Sequence, residues 1–489
     1  MSGITPVIDA SIKVPGIYIE VALGVGVQSA SDIPMKACAY GNKTSAGSQA
    51  AATVIQIFDE DQARTLFGAG SELFLMCRAF IKTNPNAQLY ATVIAESAGT
   101  AASVVLTYAG ASSAAGSQSI TCIGETVSVS VASGTAATAQ ATAVAALINA
   151  QTDWPVTAAA VGADVTVTAK HKGPRGNAIA LRALSSTTGT TVTPAPTGGY
   201  LGSGATSDTP QTALDANAPL RFDYHIAPHD DATNLTIFET HVDTYSGPTH
   251  GKRQRVVAGN IGTVSAVQTI SANWNAVRGQ LVHLEDADDT PAMLAAMMTA
   301  TRILYESRNR AANMDNYALP YAKPQDDSAD IPTNSELTSL LNNGVTPLMT
   351  TADGKVVIVR SITNRHKDSA GNLNYSVLDS HKVVVPDYAA DVLSVRFVGE
   401  WPNMLLKDDD ASGKPPPENT ATPRLLKDWS IGVMRDLEDE EGILENVAAN
   451  VPRMIFQKAS SPDGRVNARI PIDVVEQLHQ LGIQLRQEG

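Results

Sequence analysis

The chain contains few of the features that mark disulfide-rich, membrane-spanning or secreted proteins. Its three cysteines, Cys38, Cys77 and Cys122, are scattered and odd in number, which predicts reduced thiols in a chain made in the cytosol rather than a disulfide framework or a metal site. No run of 18 apolar residues occurs, so no membrane-spanning helix and no membrane insertion is predicted. The first residues, MSGITPVIDASIK, lack the charged and apolar regions of a signal peptide.

Positive charge is also scarce. The chain has 35 Lys and Arg against 49 Asp and Glu, a formal net charge of -14. Because no basic stripe is available to neutralise phosphates, direct contact with nucleic acid is not expected. The content of 43% hydrophobic and 17% charged residues is typical of a packed globular protein, and 489 residues suffice for about three domains.

Motifs for nucleophilic or nucleotide chemistry are missing. There is no G-x-S-x-G, and GYLGSGATSD has a GxG fragment without the rest of a phosphate loop. The most enzyme-like stretch is HIAPHDD, with His225, His229, Asp230 and Asp231, followed by His241 and Asp243. It could hold a divalent metal, but its spacing matches no ligand motif, and the aspartates also suit the cap of the next helix. No catalytic, metal or cofactor residue is therefore assigned.

A second carboxylate cluster, LEDADDTP, favours a structural interpretation. Thr290 before Pro291 is the pattern of a helix start, and acidic residues there interact well with the helix dipole. HKGPRGN at 171–177 is basic but short, and predicts a turn with glycines at positive φ.

Two strongly alternating segments are present, one near each end of the sequence. The first, GIYIEVALGVGV, and the second, near 480–486, each place apolar residues at every other position: Ile17, Ile19, Val21, Leu23, Val25, Val27, Leu481, Ile483 and Leu485. Alternation predicts β-strands with one apolar face, and no hairpin turn follows the first. An unpaired strand is an aggregation hazard unless it adds to a sheet in another subunit. Head-to-tail exchange of such strands generates rings or helical filaments, so self-assembly is predicted.

Between these ends the pattern predicts an α/β body. A helix is expected near 60–83, another at 137–151 and an acidic one at 433–447. Repeated alternation of strands and helices after residue 219 predicts a mostly parallel sheet covered by helices. Residues 97–200, rich in Ala, Ser, Thr and Gly, predict a β-rich insertion.

Several motifs, in this order and spacing, resemble tail sheath proteins of contractile-tailed bacteriophages, most closely those of Mu-like phages. They are VPGIYIEV, HKGPRGNAIALR, FDYHIAPHDDATNL, LTSLLNNGVTPL, KVVIVRSITNR, LEDEEGILENV and NARIPIDVVEQLHQLGIQL. The resemblance implies a helix-covered mixed sheet core with a subtilisin-like middle domain that lacks catalytic motifs. The implied division is an N-terminal arm (1–28), the two parts of a core sheath domain (29–98 and 366–470), a protruding insertion (99–205), a middle domain (206–365) and a C-terminal arm (471–489).

The resemblance also implies a function. A sheath subunit polymerises around a tail tube and contracts to drive the tube through the bacterial envelope, without a cofactor. Expected partners are other copies of the chain, the tube protein, and the baseplate and tail terminator proteins, in the virion tail after assembly in the host cytoplasm. The acidic helix is the candidate tube contact, through Asp436, Glu438, Asp439, Glu440 and Glu441. Two alternatives are a sheath of a phage-derived bacteriocin or other injection device, and a hydrolase that uses His225 or His229.

Overall fold

The computed structural model describes residues 34–325, 328–410, 415–461 and 463–487. The predicted strand from Ile17 to Val27 lies outside the described residues. Strands and helices of the described part form a mixed α/β, multidomain architecture, as the sequence predicts. None of the described helices is long and apolar enough to cross a membrane.

One eight-stranded sheet lies at the centre. Its strands, in spatial order, are Val356–Ile358, Val345–Thr350, Gly279–His283, Arg255–Asn260, Tyr224–Ile226, Lys36–Gly41, Gln88–Val93 and Val54–Ile57. The six inner strands are parallel and each edge strand is antiparallel to its neighbour. Strands of the early sequence and of the middle region therefore share one sheet, and the predicted parallel strand-helix alternation is confirmed.

Helices cover both faces of this sheet. They are Glu60–Phe67, Glu72–Thr83, Gln211–Asn217, Ala232–Ser246, Val264–Trp274, Pro291–Glu306 and Asn334–Asn342. Side chains alternate between the faces, so that Ala37 and Ala39 lie in one apolar cluster and Cys38 and Tyr40 in another. The single helix predicted over 60–83 is two helices.

The break in that predicted helix has a local cause. Gly68 and Gly70 adopt φ values of +82° and +69°, which a residue with a side chain avoids. The backbone therefore leaves the helix after Phe67 and re-enters it at Glu72, where Ser71 accepts a hydrogen bond from the Phe74 amide.

The insertion consists of two antiparallel sheets and one helix. The strands are Thr191–Ala195, Ala101–Ala109, Asp164–Lys172 and Val156–Val161 in one sheet, and Glu125–Val131, Gly116–Cys122 and Leu181–Ser185 in the other. Its helix, Ala137–Ala150, matches the prediction. Buried side chains of the insertion belong to the same apolar cluster as one face of the central sheet. The insertion is thus packed on the body, while the domain boundaries themselves stay predictions.

The C-terminal region has its own apolar cluster. It contains helices His381–Glu400, Pro423–Asp439 and Val447–Asn450, and short strands Leu405–Leu406, Thr420–Ala421, Ile455–Lys458 and Val466–Arg469. The acidic helix predicted over 433–447 is wrong in its bounds, since the helix begins at Pro423 and ends at Asp439. Gly442 lies at φ +63°, so the chain turns away there instead of continuing the helix.

Buried ion pairs join helix His381–Glu400 to the central sheet. Asp387 accepts hydrogen bonds from Arg255 (2.6 Å) and from both terminal nitrogens of Arg278 (2.6 and 2.8 Å). One turn later, Asp391 binds Arg253 and Arg221. Burial alone would raise the pKa of Asp387, but Arg278 and Arg255 hold it below its usual range. The two arginines therefore keep the Asp387 carboxyl group ionised.

We expect Asp387→Asn to lower the free energy of unfolding by about 3 to 5 kcal/mol, because two buried guanidinium groups lose their counter-charge. Chemical denaturation followed by circular dichroism measures this. The control is Asp353→Asn, which removes an exposed pair with Lys355 and should leave stability unchanged. Equal effects of the two substitutions would contradict a structural role of the buried pairs.

Candidate functional site

The histidines that suggested an enzyme are buried in the core. His225 lies within strand Tyr224–Ile226, and its Nδ1 is 2.8 Å from the Tyr40 hydroxyl. Its ring centroid is 5.2 Å from that of His241. Burial lowers the pKa of His225 to about 3 and that of His241 to about 4, so both are neutral at pH 7. In the described part of the chain no group of three or more His, Cys, Asp or Glu could hold a metal ion.

The carboxylates near these histidines act in local structure. Asp231 caps helix Ala232–Ser246 by accepting a hydrogen bond from the Asn234 amide at 2.9 Å. Thr290 caps helix Pro291–Glu306 in the same way. Both caps were predicted from the sequence and are confirmed. Asp230 accepts a hydrogen bond from Asn260 Nδ2 at 3.2 Å.

His229 belongs to a buried network that joins the insertion to the body. Its Nε2 is 2.8 Å from Asp208 Oδ1 and 2.7 Å from Arg175 Nη1. Arg175 Nε donates to Glu72 Oε1 at 2.7 Å, and its Nη2 donates to Asn42 Oδ1 at 2.6 Å. Arg175 also pairs with Asp208. One guanidinium from the insertion thus binds side chains from three separate stretches of the chain.

Arg175 is presented by a tight turn. Gly173 lies at φ +97°, and a short 3₁₀ helix, Pro174–Ala178, follows it. The HKGPRGN motif predicted this turn, but not the role of Arg175. Burial would raise the pKa of Asp208, but the hydrogen bonds from His229 and Arg175 outweigh it, so the pKa lies below its usual range. The only signal in the sequence was that the HKGPRGN and HIAPHDD motifs both occur in the family resemblance.

A cleft of about 350 Å³ lies beside this network, between the insertion and the carboxyl ends of the central strands. Ligand sites of α/β proteins usually lie at this edge of a sheet. The lining includes Arg175 and Asp230, together with Pro228, Ile261 and Pro291. Arg175 and Asp230 are already hydrogen-bonded within the protein, so these two side chains serve packing between the insertion and the body.

The five carboxylates proposed for tube contact differ in exposure. Asp436 pairs with Arg396, and Glu438 accepts a hydrogen bond from the Val447 amide at 3.1 Å. Burial raises the pKa of Glu441 to about 7. Only Asp439 and Glu440 are exposed. These two residues at the end of helix Pro423–Asp439 are therefore the most accessible part of the predicted surface.

The C-terminal segment is attached to the body and then projects from it. Gln477 Nε2 donates to the carbonyls of Ala311 (3.0 Å) and Ala312 (2.9 Å), and His479 Nδ1 is 2.6 Å from Asp315 Oδ2. Residues 475–487 are neither helix nor strand. The apolar side chains after this attachment are highly exposed: Leu481 at 76%, Ile483 at 72% and Leu485 at 93%.

We expect Arg175→Lys to lower the free energy of unfolding by about 2 to 4 kcal/mol, since the three donors of an ammonium group lie on one nitrogen and cannot reproduce the planar fork that binds Glu72, Asp208 and Asn42. Thermal unfolding measures the loss, and limited proteolysis should show faster cleavage near 97–99 and 205–208, where the insertion joins the body. Arg308→Lys, at an exposed site, is the control. If the Arg175 variant melts and is cleaved like the control, the network does not fix the insertion.

Several solved structures that are similar to this chain are sheath proteins. The sheath tail protein from Desulfitobacterium hafniense is 14% identical, with 94% of this chain and 100% of that chain covered and a TM-score of 0.47. The sheath tail protein from Listeria innocua is 12% identical, with 92% and 97% covered and a TM-score of 0.47. The contracted helical sheath of the anti-feeding prophage is 11% identical, with 98% and 100% covered and a TM-score of 0.44. Structural similarities with TM-scores below 0.5 do not support an assignment of function.

Comparison of sequences gives a nearer relative. No protein-family model matches the chain. The Mu-like prophage FluMu tail sheath protein of Haemophilus influenzae is 24% identical over 479 residues. The alignment covers 96% of this chain and 96% of that protein, which confirms the resemblance inferred from the motifs: along nearly its whole length, the chain is similar to a Mu-like prophage tail sheath protein.

Proposed function

We propose that this chain is a structural subunit of a contractile tail sheath, which polymerises around a tail tube and contracts to drive the tube through the bacterial envelope. The observation that carries the proposal is the similarity to a tail sheath protein over 96% of both chains. A similarity of this extent covers nearly the whole chain, and so concerns the whole architecture rather than one shared domain.

The exposed C-terminal leucines support assembly through exchanged segments. An apolar segment with alternate Leu481, Ile483 and Leu485 has no cover within the described part of its own chain. Adding such a segment to another subunit would bury its apolar face and satisfy its backbone groups. We propose that residues 17–27 pair in another copy of the chain, alongside the C-terminal strand of that copy near 480–486. The proposed acceptor is the hairpin of strands Ile455–Lys458 and Val466–Arg469. Within the described residues its sheet has only these two strands, so a strand edge is left for this addition.

The buried ionic networks suit a subunit that moves as one body. Arg175 fixes the insertion to the sheet, and Asp387 fixes helix His381–Glu400 to it. Contraction would then change the contacts between subunits, while the terminal segments keep neighbours connected. The extended sheath would store its energy as a kinetically trapped packing, released without a nucleotide.

The proposed partners are other copies of the chain, the tail tube protein, and the baseplate and tail terminator proteins of the virion tail, which assembles in the host cytoplasm. The exposed carboxylates Asp439 and Glu440 are the proposed tube contact, toward basic residues. Exposed ion pairs are individually weak and are screened by salt, which suits a surface that separates during contraction. A phage-derived injection device would need the same subunit, and neighbouring genes distinguish it from a phage.

Deleting residues 1–27 should give a folded monomer that forms no long tubes, because the first exchanged strand is lost. Negative-stain electron microscopy of the purified protein tests this together with the proposed function, since the wild-type chain should form hollow, ridged tubes or stacked rings. A truncated chain that assembles like the wild type would disprove the exchange of residues 17–27. Wild-type protein that stays monomeric at high concentration, with and without tube and baseplate, would disprove the sheath function.

Reversing the charges of Asp439 and Glu440 to Lys should weaken binding to the tube at least tenfold and leave self-assembly intact. Co-sedimentation of sheath with purified tubes at low and high salt measures binding. The matched control reverses Asp164 and Asp353, two exposed carboxylates elsewhere. Loss of self-assembly in the Asp439 and Glu440 variant, or unchanged tube binding, would count against this contact.

A further inference from the structure

A small cavity of about 20 Å³ lies between helix His381–Glu400 and the amino ends of the central strands. A space of this size has room for a single water molecule or a small ion. Most of the side chains that line it are charged, namely Arg221, Asp223, Arg255, Arg310, Asp387 and Asp391. The cavity is therefore a polar site inside the ion-pair cluster that joins the helix to the sheet.

Arg310 brings a buried positive charge to this cavity. Only 7% of the residue is exposed, and its guanidinium group lies over the Tyr388 ring, 4.4 Å from the ring centroid. The carboxylates of Asp387 and Asp391 are bound by other arginines, and within the described ranges Arg310 forms no ion pair. A buried guanidinium group without a counter-charge carries a desolvation penalty.

Positive charge exceeds negative charge around the cavity. Each of the two carboxylates that helix His381–Glu400 contributes is shared by two arginines. Asp223 adds one further negative charge, 3.4 Å from a terminal nitrogen of Arg221. These three carboxylates face five guanidinium groups, which belong to Arg221, Arg253, Arg255, Arg278 and Arg310. A bound anion would reduce this excess, whereas a bound cation would increase it.

Hydrogen-bond donors are also left over at this place. The Nε–H groups of Arg253 and Arg255 are buried and have no hydrogen-bond partner in the described part of the chain. Arg255 lines the cavity together with Arg310. Because buried polar groups in proteins are nearly always paired, unpaired donors beside one cavity indicate an additional acceptor.

Glu441 does not supply the missing negative charge in full. Burial raises the pKa of Glu441 to about 7, although Arg310 and Arg396 act to lower it. At pH 7 this carboxyl group is therefore only partly ionised. An anion of a strong acid stays charged over the whole neutral range, and so would balance Arg310 better than a carboxyl group in this environment.

We propose that this cavity binds one small monovalent inorganic anion, a halide such as chloride, between Arg310 and Arg255. Tyr388 orients the Arg310 guanidinium group through the cation–π contact. A phosphate or sulfate dianion is larger, and the carboxylates that line the cavity would repel its second charge. The halide offsets the repulsion among the arginines and so holds helix His381–Glu400 on the sheet. This site does not depend on the sheath function.

Urea unfolding at constant ionic strength tests the site in solution. Sodium gluconate, whose anion is too large for the cavity, is exchanged stepwise for sodium chloride. The unfolding equilibrium constant of the wild type should fall at least tenfold, because the anion binds only the folded chain. Arg310→Met keeps an apolar side chain over Tyr388 but removes the charge, and its unfolding constant should change less than twofold. Arg308→Met, at an exposed site, should respond like the wild type. Equal responses of the wild type and Arg310→Met overturn the proposal.

Anomalous diffraction locates the ion even if Arg310→Met does not fold. Wild-type crystals grown in sodium bromide should show an anomalous peak in the cavity, within hydrogen-bonding distance of the Arg310 and Arg255 guanidinium groups. A water molecule or a carboxylate in that place, without anomalous signal, overturns the proposal. A bromide peak without any effect of chloride on wild-type unfolding indicates an adventitious ion only, and overturns it as well. Neither experiment bears on tube formation, so failure of this site leaves the proposed function untouched.

Discussion

The guanidinium of Arg175 is the contact on which the arrangement of the large parts depends. It lies in the insertion, yet it binds Glu72 and Asn42 from the first part of the chain and Asp208 from the start of the middle region. A planar group with five donors on three nitrogens can bind acceptors on several sides in fixed directions, whereas the three donors of a lysine lie on one nitrogen. Because these partners are buried, each would carry a desolvation penalty without the arginine.

A second group of buried ion pairs extends this body to the C-terminal region. Asp387 and Asp391, one helical turn apart, meet four arginines from the strands and loops of the central sheet. Buried pairs cost desolvation energy and specify geometry more than they add stability. The insertion and helix His381–Glu400 are thereby fixed relative to the sheet.

The histidine-rich motif shows how burial changes the meaning of a sequence pattern. His225 lies within a strand of the parallel sheet, and His229 and His241 follow it, in a region where a metal or catalytic site would be reasonable. In the structure His225 and His241 pack among aromatic rings with lowered pKa values, and His229 is held by Asp208 and Arg175. His229 therefore belongs to the junction of the insertion with the body, whereas His225 and His241 belong to the aromatic core beside the central sheet.

Local sequence patterns predicted the features that depend on neighbouring residues. The parallel sheet, helix Ala137–Ala150 and the caps at Asp231 and Thr290 follow from periodicity and capping chemistry within a few residues. The helix predicted over 60–83 and the end of the acidic helix were misplaced, because glycines at positive φ outweighed the apolar and acidic patterns. The contact between Arg175 and His229 could not be predicted in this way, because it depends on two distant parts of the chain that only the folded protein brings to the same place.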